Sequence, residues 1–259
     1  YEEFILNLKG IDGILILVSP EKMFEVTDLL IPYQIPLFIE KPPALSYEEI
    51  LQLNTKASVN KTLNMVGFNR RFYSIYHKGI KKIRDHGRLL GLSIEGHERF
   101  WKLGDSFTKN TKDSWLYANS SHTIDLIDFF GGELDELKVF SSSLNQTHGD
   151  QFVASMRFKS GTLGTYTSHW YSPGGWSVTL YGEEITVIFK PLEKGVWIDR
   201  DFKEHEIKPS KSDLLLKEGF YEQMKSFRNL INTKNVEWPA VSLEGSLRTV
   251  NSINSFFID

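Results

Sequence analysis

Apolar residues along the chain fall into two rhythms, which change over near residue 72. In the first stretch, short unbroken apolar runs alternate with helical spacing. Ile11 to Val18 is almost wholly apolar and stops at Ser19-Pro20, which predicts a strand buried on both faces. Glu21 to Pro32 sets Met23, Val26, Leu29 and Leu30 on one helical face. Ile35 to Ile39 gives a second buried strand and Asn64 to Phe68 a third. Between them, Ser46-Tyr47-Glu48-Glu49 reads as a capping box, in which serine and glutamate satisfy each other's free amides. It opens a helix running to about Ala57. Tyr1 to Lys9 has the spacing of a helix leading into the first strand. Strands alternating with helices predict a parallel, doubly wound sheet.

Beyond Phe72 the pattern changes. A helix is predicted over 73–86, with Gly87 as a left-handed cap. Leu89 to Trp101 alternates like a strand, and Lys102 to Asp113 is polar enough to be a loop. Ile124, Leu126, Ile127, Phe129 and Phe130 return to helical spacing and end at Gly131-Gly132. Short runs then follow at hairpin intervals: Leu137–Phe140, Phe152–Phe158, Leu163–His169, Ser177–Tyr181, Thr186–Phe189 and Val196–Ile198. They predict an antiparallel meander out to about Ile207. Helices over 213–232 and 242–257 finish the chain. The fold class is α/β plus α+β: a parallel sheet, then a mostly antiparallel sheet domain with flanking helices.

Composition narrows the function classes. With 259 residues, 41% of them hydrophobic, the chain can bury one substantial core or two smaller ones. No apolar run approaches the roughly 20 residues that span a bilayer, so no membrane association is expected. No signal-peptide pattern opens the sequence, and a cytoplasmic setting is expected. The absence of cysteine excludes disulfides and thiolate metal sites. A net charge of -3 gives no reason to expect nucleic acid. The basic run Lys78, Lys81, Lys82 and Arg84 has helical spacing and reads as a solvated helix face. His148 and His169 lack any metal-ligand spacing, and no metal site is expected.

Candidate chemistry begins at Glu40-Lys41-Pro42, directly after the second strand. Ligands of open α/β sheets sit at the C-terminal ends of strands. A lysine that loses water there can have its pKa lowered into the range of proton exchange. Gly67-Phe68-Asn69-Arg70-Arg71-Phe72 follows the third strand on the same side, and arginine suits bidentate binding of carboxylate or phosphate. One of the two arginines can equally be a structural partner for an acid such as Asp125 or Glu95. A third segment is Ser121-His122-Thr123-Ile124-Asp125. A fourth is Gly219-Phe220-Tyr221-Glu222-Gln223-Met224, leading to Val236-Glu237-Trp238-Pro239.

In that order, these segments resemble the Gfo/Idh/MocA family of nicotinamide-dependent oxidoreductases over nearly the whole chain. The resemblance implies a partial Rossmann-type dinucleotide domain at 1–68 and a substrate-binding and oligomerisation domain at 69–259. It implies hydride transfer between NAD or NADP and a secondary hydroxyl of a sugar, polyol or nucleotide-sugar. Lys41 and His122 become the catalytic candidates, with His122 as base and Lys41 hydrogen-bonded to the reacting oxygen. Ser19, Pro20, Glu40 and Lys41 become cofactor contacts, and Asn69, Arg70, Asn119 and His122 substrate contacts. Trp115, Trp170, Tyr171 and Trp176 are candidates for a sugar-stacking wall.

Two departures stand against it. No G-x-G-x-x-G occurs in the chain, so it looks like a family member without its first βαβ unit, and weak or no dinucleotide binding is expected. Ala118 stands one helical turn before His122, where the family has Asp. A non-catalytic sugar-binding or assembly subunit, or an NAD-dependent glycosidase-like enzyme, therefore remains an alternative. A homodimer or tetramer is expected through the later sheet, because Tyr166, Trp170 and Tyr171 put aromatics on both alternating sets of one strand run.

Overall fold

A computed structural model of the protein describes residues 8–104 and 106–257. The helix expected over 1–9 falls largely outside the described residues; Lys9 and Gly10 form a turn. The first unit is β1 (Ile14–Ile16), α1 (Pro20–Leu30), β2 (Leu37–Ile39), α2 (Tyr47–Asn60) and β3 (Asn64–Val66). Its strands pair in parallel in the order β1-β2-β3, with Ile14 opposite Leu37 and Leu37 opposite Asn64. The helix start at Ser46 has a modified capping box. Ser46 Oγ accepts from the Glu49 amide at 3.2 Å, but the Glu49 carboxylate accepts from Leu45, one residue before the serine.

The two faces of this sheet are covered by different parts of the chain. Leu37, Ile39 and Val66 point into the main core with residues of α1 and α2. Phe38 and Met65 point the other way, against Phe227 and Leu230 of the later helix α7 (Phe220–Thr233). Phe38 and Phe227 meet edge-on with ring centres 5.7 Å apart. At β1 the expectation of burial on both faces fails. Ile14 and Ile16 are buried, whereas Leu15 is 48% exposed and Leu17 is 63% exposed. α7 reaches β1 only at its start, where Ile231 and Phe227 leave no room for a side chain on Gly13.

After a 3-10 turn at Asn69–Phe72 come α3 (Ser74–His86) and β4 (Leu89–Gly96). Gly87 ends α3 at φ +152°, ψ -133°, a glycine conformation different from the predicted left-handed cap. Residues 102–113, expected as loop, contain the short helix α4 (Lys109–Asp113), capped by Thr108 Oγ1 on the Thr111 amide. A π-helical turn (Leu116–Ser120) runs into α5 (Ser121–Gly131). The remaining strands are β5 (Leu134–Ser142), β6 (Gln151–Phe158), β7 (Leu163–His169), β8 (Trp176–Gly182), β9 (Ile185–Phe189), β10 (Gly195–Ile198) and β11 (Glu204–Ile207). The chain continues through α6 (Lys211–Leu215) and α7 to α8 (Leu243–Asn254).

The large sheet has the order β11-β10-β9-β8-β4-β7-β6-β5. It is not a simple meander: β4 enters between β7 and β8, parallel to β7 and antiparallel to β8. Alternation along β4 showed that it was a strand but carried no information about its neighbours. Of the aromatics expected on both alternating sets, two turn inward and one outward. Tyr166 and Trp170 are buried, while Tyr171 lies at the surface. Along β6, inward Phe152, Ala154, Met156 and Phe158 alternate cleanly with exposed Val153, Ser155 and Arg157. The outer face is largely hydroxylic, as where Thr165 Oγ1 donates to Ser93 Oγ at 3.1 Å, with Phe140, Val153 and Leu163 exposed among these groups.

The single helix expected over 213–232 is broken into α6 and α7 by a specific device. The Asp213 carboxylate accepts from the Ser74 amide at 2.8 Å and from the Gly219 amide at 3.0 Å. Gly219 has φ +77° and lies against the Asn69 carbonyl, so only glycine fits there.

At Gly131, the end of α5, the Phe158 ring of the sheet occupies the place a Cβ would take. Gly131→Ala is expected to cost about 1–3 kcal/mol of stability through overpacking. The readout is a lower urea midpoint at an unchanged slope.

Candidate active site

The site is assembled from strand ends and one helix start. Lys41 follows β2, and its Nζ donates to the Ala118 carbonyl at 2.9 Å. Burial, with help from the nearby Arg70 charge, brings its pKa down to about 8, against the opposing pull of Glu40 and Glu98. The Lys41–Pro42 bond is cis. Glu40 has its pKa raised by burial, although Lys41 opposes the shift. A side chain on Gly67 would come within 2.9 Å of Glu40 Oε2 and 3.1 Å of its Cα. Glycine at the end of β3 therefore lets the two strand ends lie against each other.

His122 opens α5 and is 8% exposed. Its Nδ1 is buried and has no hydrogen-bond partner. Burial holds the ring neutral, with a pKa well below the ordinary value, and the positive charges of Lys41, Arg70 and Lys217 act in the same direction. Its ring lies 6.0 Å from that of Trp176, over which Arg70 is stacked at 4.6 Å. The structure thus brings Lys41, Arg70 and His122 within electrostatic reach of one another.

Glu98 is the functional candidate that sequence reasoning missed. It leaves β4 with 4% exposure and accepts from Asn119 Nδ2 and from Ser120 Oγ, each at 2.8 Å. Burial raises its pKa, and Lys41 lies within reach of its charge. A signal was available, because Glu98 falls on the same alternate positions as inward Leu92, Ile94 and Gly96. A charged residue on the buried side of a strand needs a partner.

Glu98 and Asn119 line a cleft of about 390 Å³ together with His97, Trp115, Trp176 and Glu193. Of the four aromatic candidates, Trp176 and Trp115 face this cleft. Trp170 is in the core, stacked on Phe100 at 5.2 Å, and Tyr171 lies on the surface. Asn69 is turned toward the α6–α7 link, with Nδ2 3.5 Å from the Glu218 carbonyl. Ser19 precedes α1 without a capping hydrogen bond, and Pro20 is the first residue of that helix. Among the described residues, no cluster of three or more His, Asp or Glu could hold a metal ion.

The two adjacent arginines divide cleanly. Arg71 is 2% exposed and grips Asp125 with Nε and Nη2, both at 2.7 Å. Nη2 also reaches Asp128 at 3.0 Å, and Thr249 Oγ1 donates to Asp125 at 2.9 Å. Glu95, the other partner considered for an arginine, is taken instead by Ser177 and Lys190. Arg70 makes no ion pair among the described residues.

With this geometry in place, the comparisons with known proteins are specific. Residues 86–188 match the family described as the GFO/IDH/MocA C-terminal domain. No curated protein matches the sequence. A Gfo/Idh/MocA family oxidoreductase from Vibrio cholerae superposes with a TM-score of 0.78 at 19% identity, covering 97% of this chain and 79% of that one. A dehydrogenase from Chromobacterium violaceum gives 0.79 at 20% identity, covering 98% and 78%. Levoglucosan dehydrogenase, in complex with NADH and levoglucosan, gives 0.79 at 16% identity, covering 98% and 79%. Residues 86–188 thus match the family's C-terminal domain, and the chain as a whole shares the fold of the solved structures, a small parallel sheet beside a larger mixed one.

The Arg71–Asp125 pair should be essential to stability. Asp125→Ala leaves a buried guanidinium without its bidentate partner, and a loss of about 3–5 kcal/mol is expected. Chemical denaturation of the variant against the parent chain measures it.

Proposed function

We propose that the protein is an oxidoreductase moving a hydride between NAD or NADP and a secondary hydroxyl carbon of a sugar, polyol or nucleotide-sugar. The observation that carries this reading is Lys41, a largely buried amine with a pKa of about 8, held beside a neutral histidine whose Nδ1 has no partner. Such groups fit the reacting end of a nicotinamide–alcohol pair. The nicotinamide, when bound, supplies the hydride acceptor. Glu40, Lys41 and the Ser19-Pro20 turn would face it, and Asn119 and His122 would face the substrate. Binding of NADH and levoglucosan by a protein of the same fold supports the reading.

Proton movement is assigned to this chain's own residues. As the alcohol loses hydride, its hydroxyl proton needs an acceptor at about 2.6–3.2 Å. A protonated His122 would sit among three cations in a dry site, which argues against its holding the proton. Neutral Lys41 is better matched, since a base works best with a pKa near the operating pH. His122 then accepts or donates a hydrogen bond and orients the oxygen. Glu98 and the Ala118 carbonyl hold the ammonium once it forms.

Residues 1–68 would carry the dinucleotide side of the site and 69–259 the substrate side. The chain has no Gly-rich turn to present backbone amides to a pyrophosphate, so weak dinucleotide binding is part of the proposal. A non-catalytic sugar-binding or assembly role is the second reading, favoured by Ala118. For assembly, the exposed Phe140, Val153 and Leu163 on the outer sheet face support a homodimer, or a dimer of dimers, formed sheet against sheet. No described helix is long and apolar enough to cross a membrane, which is compatible with the cytoplasmic placement we propose.

Alcohol oxidation should rise as pH passes through about 8, because the acceptor is the neutral amine and its fraction grows above the Lys41 pKa. Lys41→Met should remove that rising limb and lower the rate by about 10²–10⁴-fold. Initial rates across pH at high dinucleotide concentration test this. An unchanged profile in the variant assigns the proton elsewhere, and no turnover of any sugar or polyol favours the non-catalytic reading. Light scattering at micromolar concentration should give twice the 29.9 kDa chain mass or a multiple of it; a monomer removes the sheet-to-sheet assembly.

A further inference from the structure

Arg70 stands beside the Trp176 wall of the cleft. Its neighbour Arg71 is fully engaged by Asp125 and Asp128. Lys41 is bonded to a carbonyl. The Arg70 side chain has no hydrogen bond or ion pair among the described residues, and its Nε is buried without a partner. The guanidinium is held in place nonetheless, 4.6 Å above the Trp176 ring, which itself lines the cleft. A buried donor left unpaired costs free energy, so a side chain fixed by stacking yet unpaired is poised for a ligand.

The surrounding charge has a consistent sign. Lys41, Arg70 and Lys217 all act on His122 as positive neighbours. At the cleft mouth, Arg99 and Lys102 are exposed lining residues with no ion pair among the described residues. Three carboxylates also face this region. Glu40 lies against Lys41, and Glu98 is held by Asn119 and Ser120. Burial raises the pKa of both, and Lys41 opposes the shift in each case. Glu193 lines the cleft without pairing to Arg70.

We propose that Arg70 reads a carboxylate on the substrate, so that the site takes an acidic sugar derivative, a uronate or aldonate, in preference to its neutral counterpart. The inference rests on the oxidoreductase-site reading above and names its substrate class. The two terminal Nη groups of a guanidinium form a fork that matches the two oxygens of a carboxylate. Trp176 fixes the plane of the fork and offers its own ring edge to the sugar body. Lys217 and the basic rim draw the anion in and need not touch it.

The test is binding, measured by calorimetry on the full chain without cofactor. The charge-matched pairs are D-glucuronate against D-glucose and D-gluconate against D-glucitol, with D-glucose 6-phosphate as a phosphate probe. The parent chain should bind at least one acid about 10- to 100-fold more tightly than its neutral partner. Arg70→Gln should remove that preference by weakening the acid far more than its neutral partner, while Arg70→Lys should keep part of it. Urea midpoints of both variants exclude loss of the fold as the cause. Equal binding of acid and neutral sugar, binding of neither, or equal weakening of both in Arg70→Gln overturns the proposal. So does a stronger, Arg70-dependent preference for the phosphate. If neutral sugars are oxidised as well as the acids, the oxidoreductase reading stands and this one falls. Arg70-dependent acid binding without turnover of any hydroxyl gives the reverse.

Discussion

A bidentate ion pair, Arg71 to Asp125, sits where every part of the candidate site meets. Arg71 belongs to the turn that leaves the parallel sheet, and Asp125 lies one helical turn after His122 in α5. Thr249 of α8 donates to the same carboxylate, and Arg248 reaches Asp128 at 3.3 Å. Three segments distant in sequence are therefore registered by one buried cluster of charges. Such a cluster gains little net stability over a well-packed apolar one, because both ions must be desolvated. What it fixes is relative position, and a pair with two short parallel bonds tolerates little rotation. The consequence is local: with Arg71 pinned, the next residue back is directed to the opposite side of the turn, over Trp176.

Helix and strand periodicity made most of the elements legible, because each buries a regular stripe of side chains. Leu163–His169 is found as read, and most of the other predicted strands and helices differ at their ends by a few residues. What periodicity could not supply was partnership. The strand at Leu89–Gly96 reads the same whether it starts a meander or lies at the centre of a sheet, and it lies at the centre. The burial of Phe38 and Met65 looked like ordinary two-sided strand burial, yet it depends on a helix some 160–190 residues later in the chain. The break at Gly219 was hidden for a similar reason. Asp213 looks like a helix residue until the Ser74 amide, from the other side of the fold, is seen bonded to its carboxylate.

The site was legible in its residues and less so in their states. Lys41, Arg70, Asn119 and His122 were singled out from short motifs; Asn119 lines the cleft, and Lys41 and Arg70 act electrostatically on His122, whose ring lies near Trp176 of that cleft, while Asn69 is turned toward the α6–α7 link. Their charge states depend on burial, which no motif reports. The same desolvation acts differently according to the ion. It lowers the pKa values of Lys41 and His122 and raises those of Glu40 and Glu98. All four shifts run in the direction of the neutral form, and burial is the first cause of each.

That arrangement explains why Lys41, rather than His122, suits proton exchange. Burial and the charges of three nearby cations all oppose an added proton on His122. Lys41 has Glu40 and Glu98 within reach and the Ala118 carbonyl in contact, and these partly restore what burial removes. Its pKa therefore stops near 8 instead of falling further. The methyl side chain of Ala118 contributes nothing to this balance, but its backbone oxygen does, and Glu98 brings a carboxylate to the same place from β4. An acid within range of an amine works through the field at that point, whichever element carries it. Glu98 can therefore influence Lys41 from a position that no helical spacing around His122 would reveal.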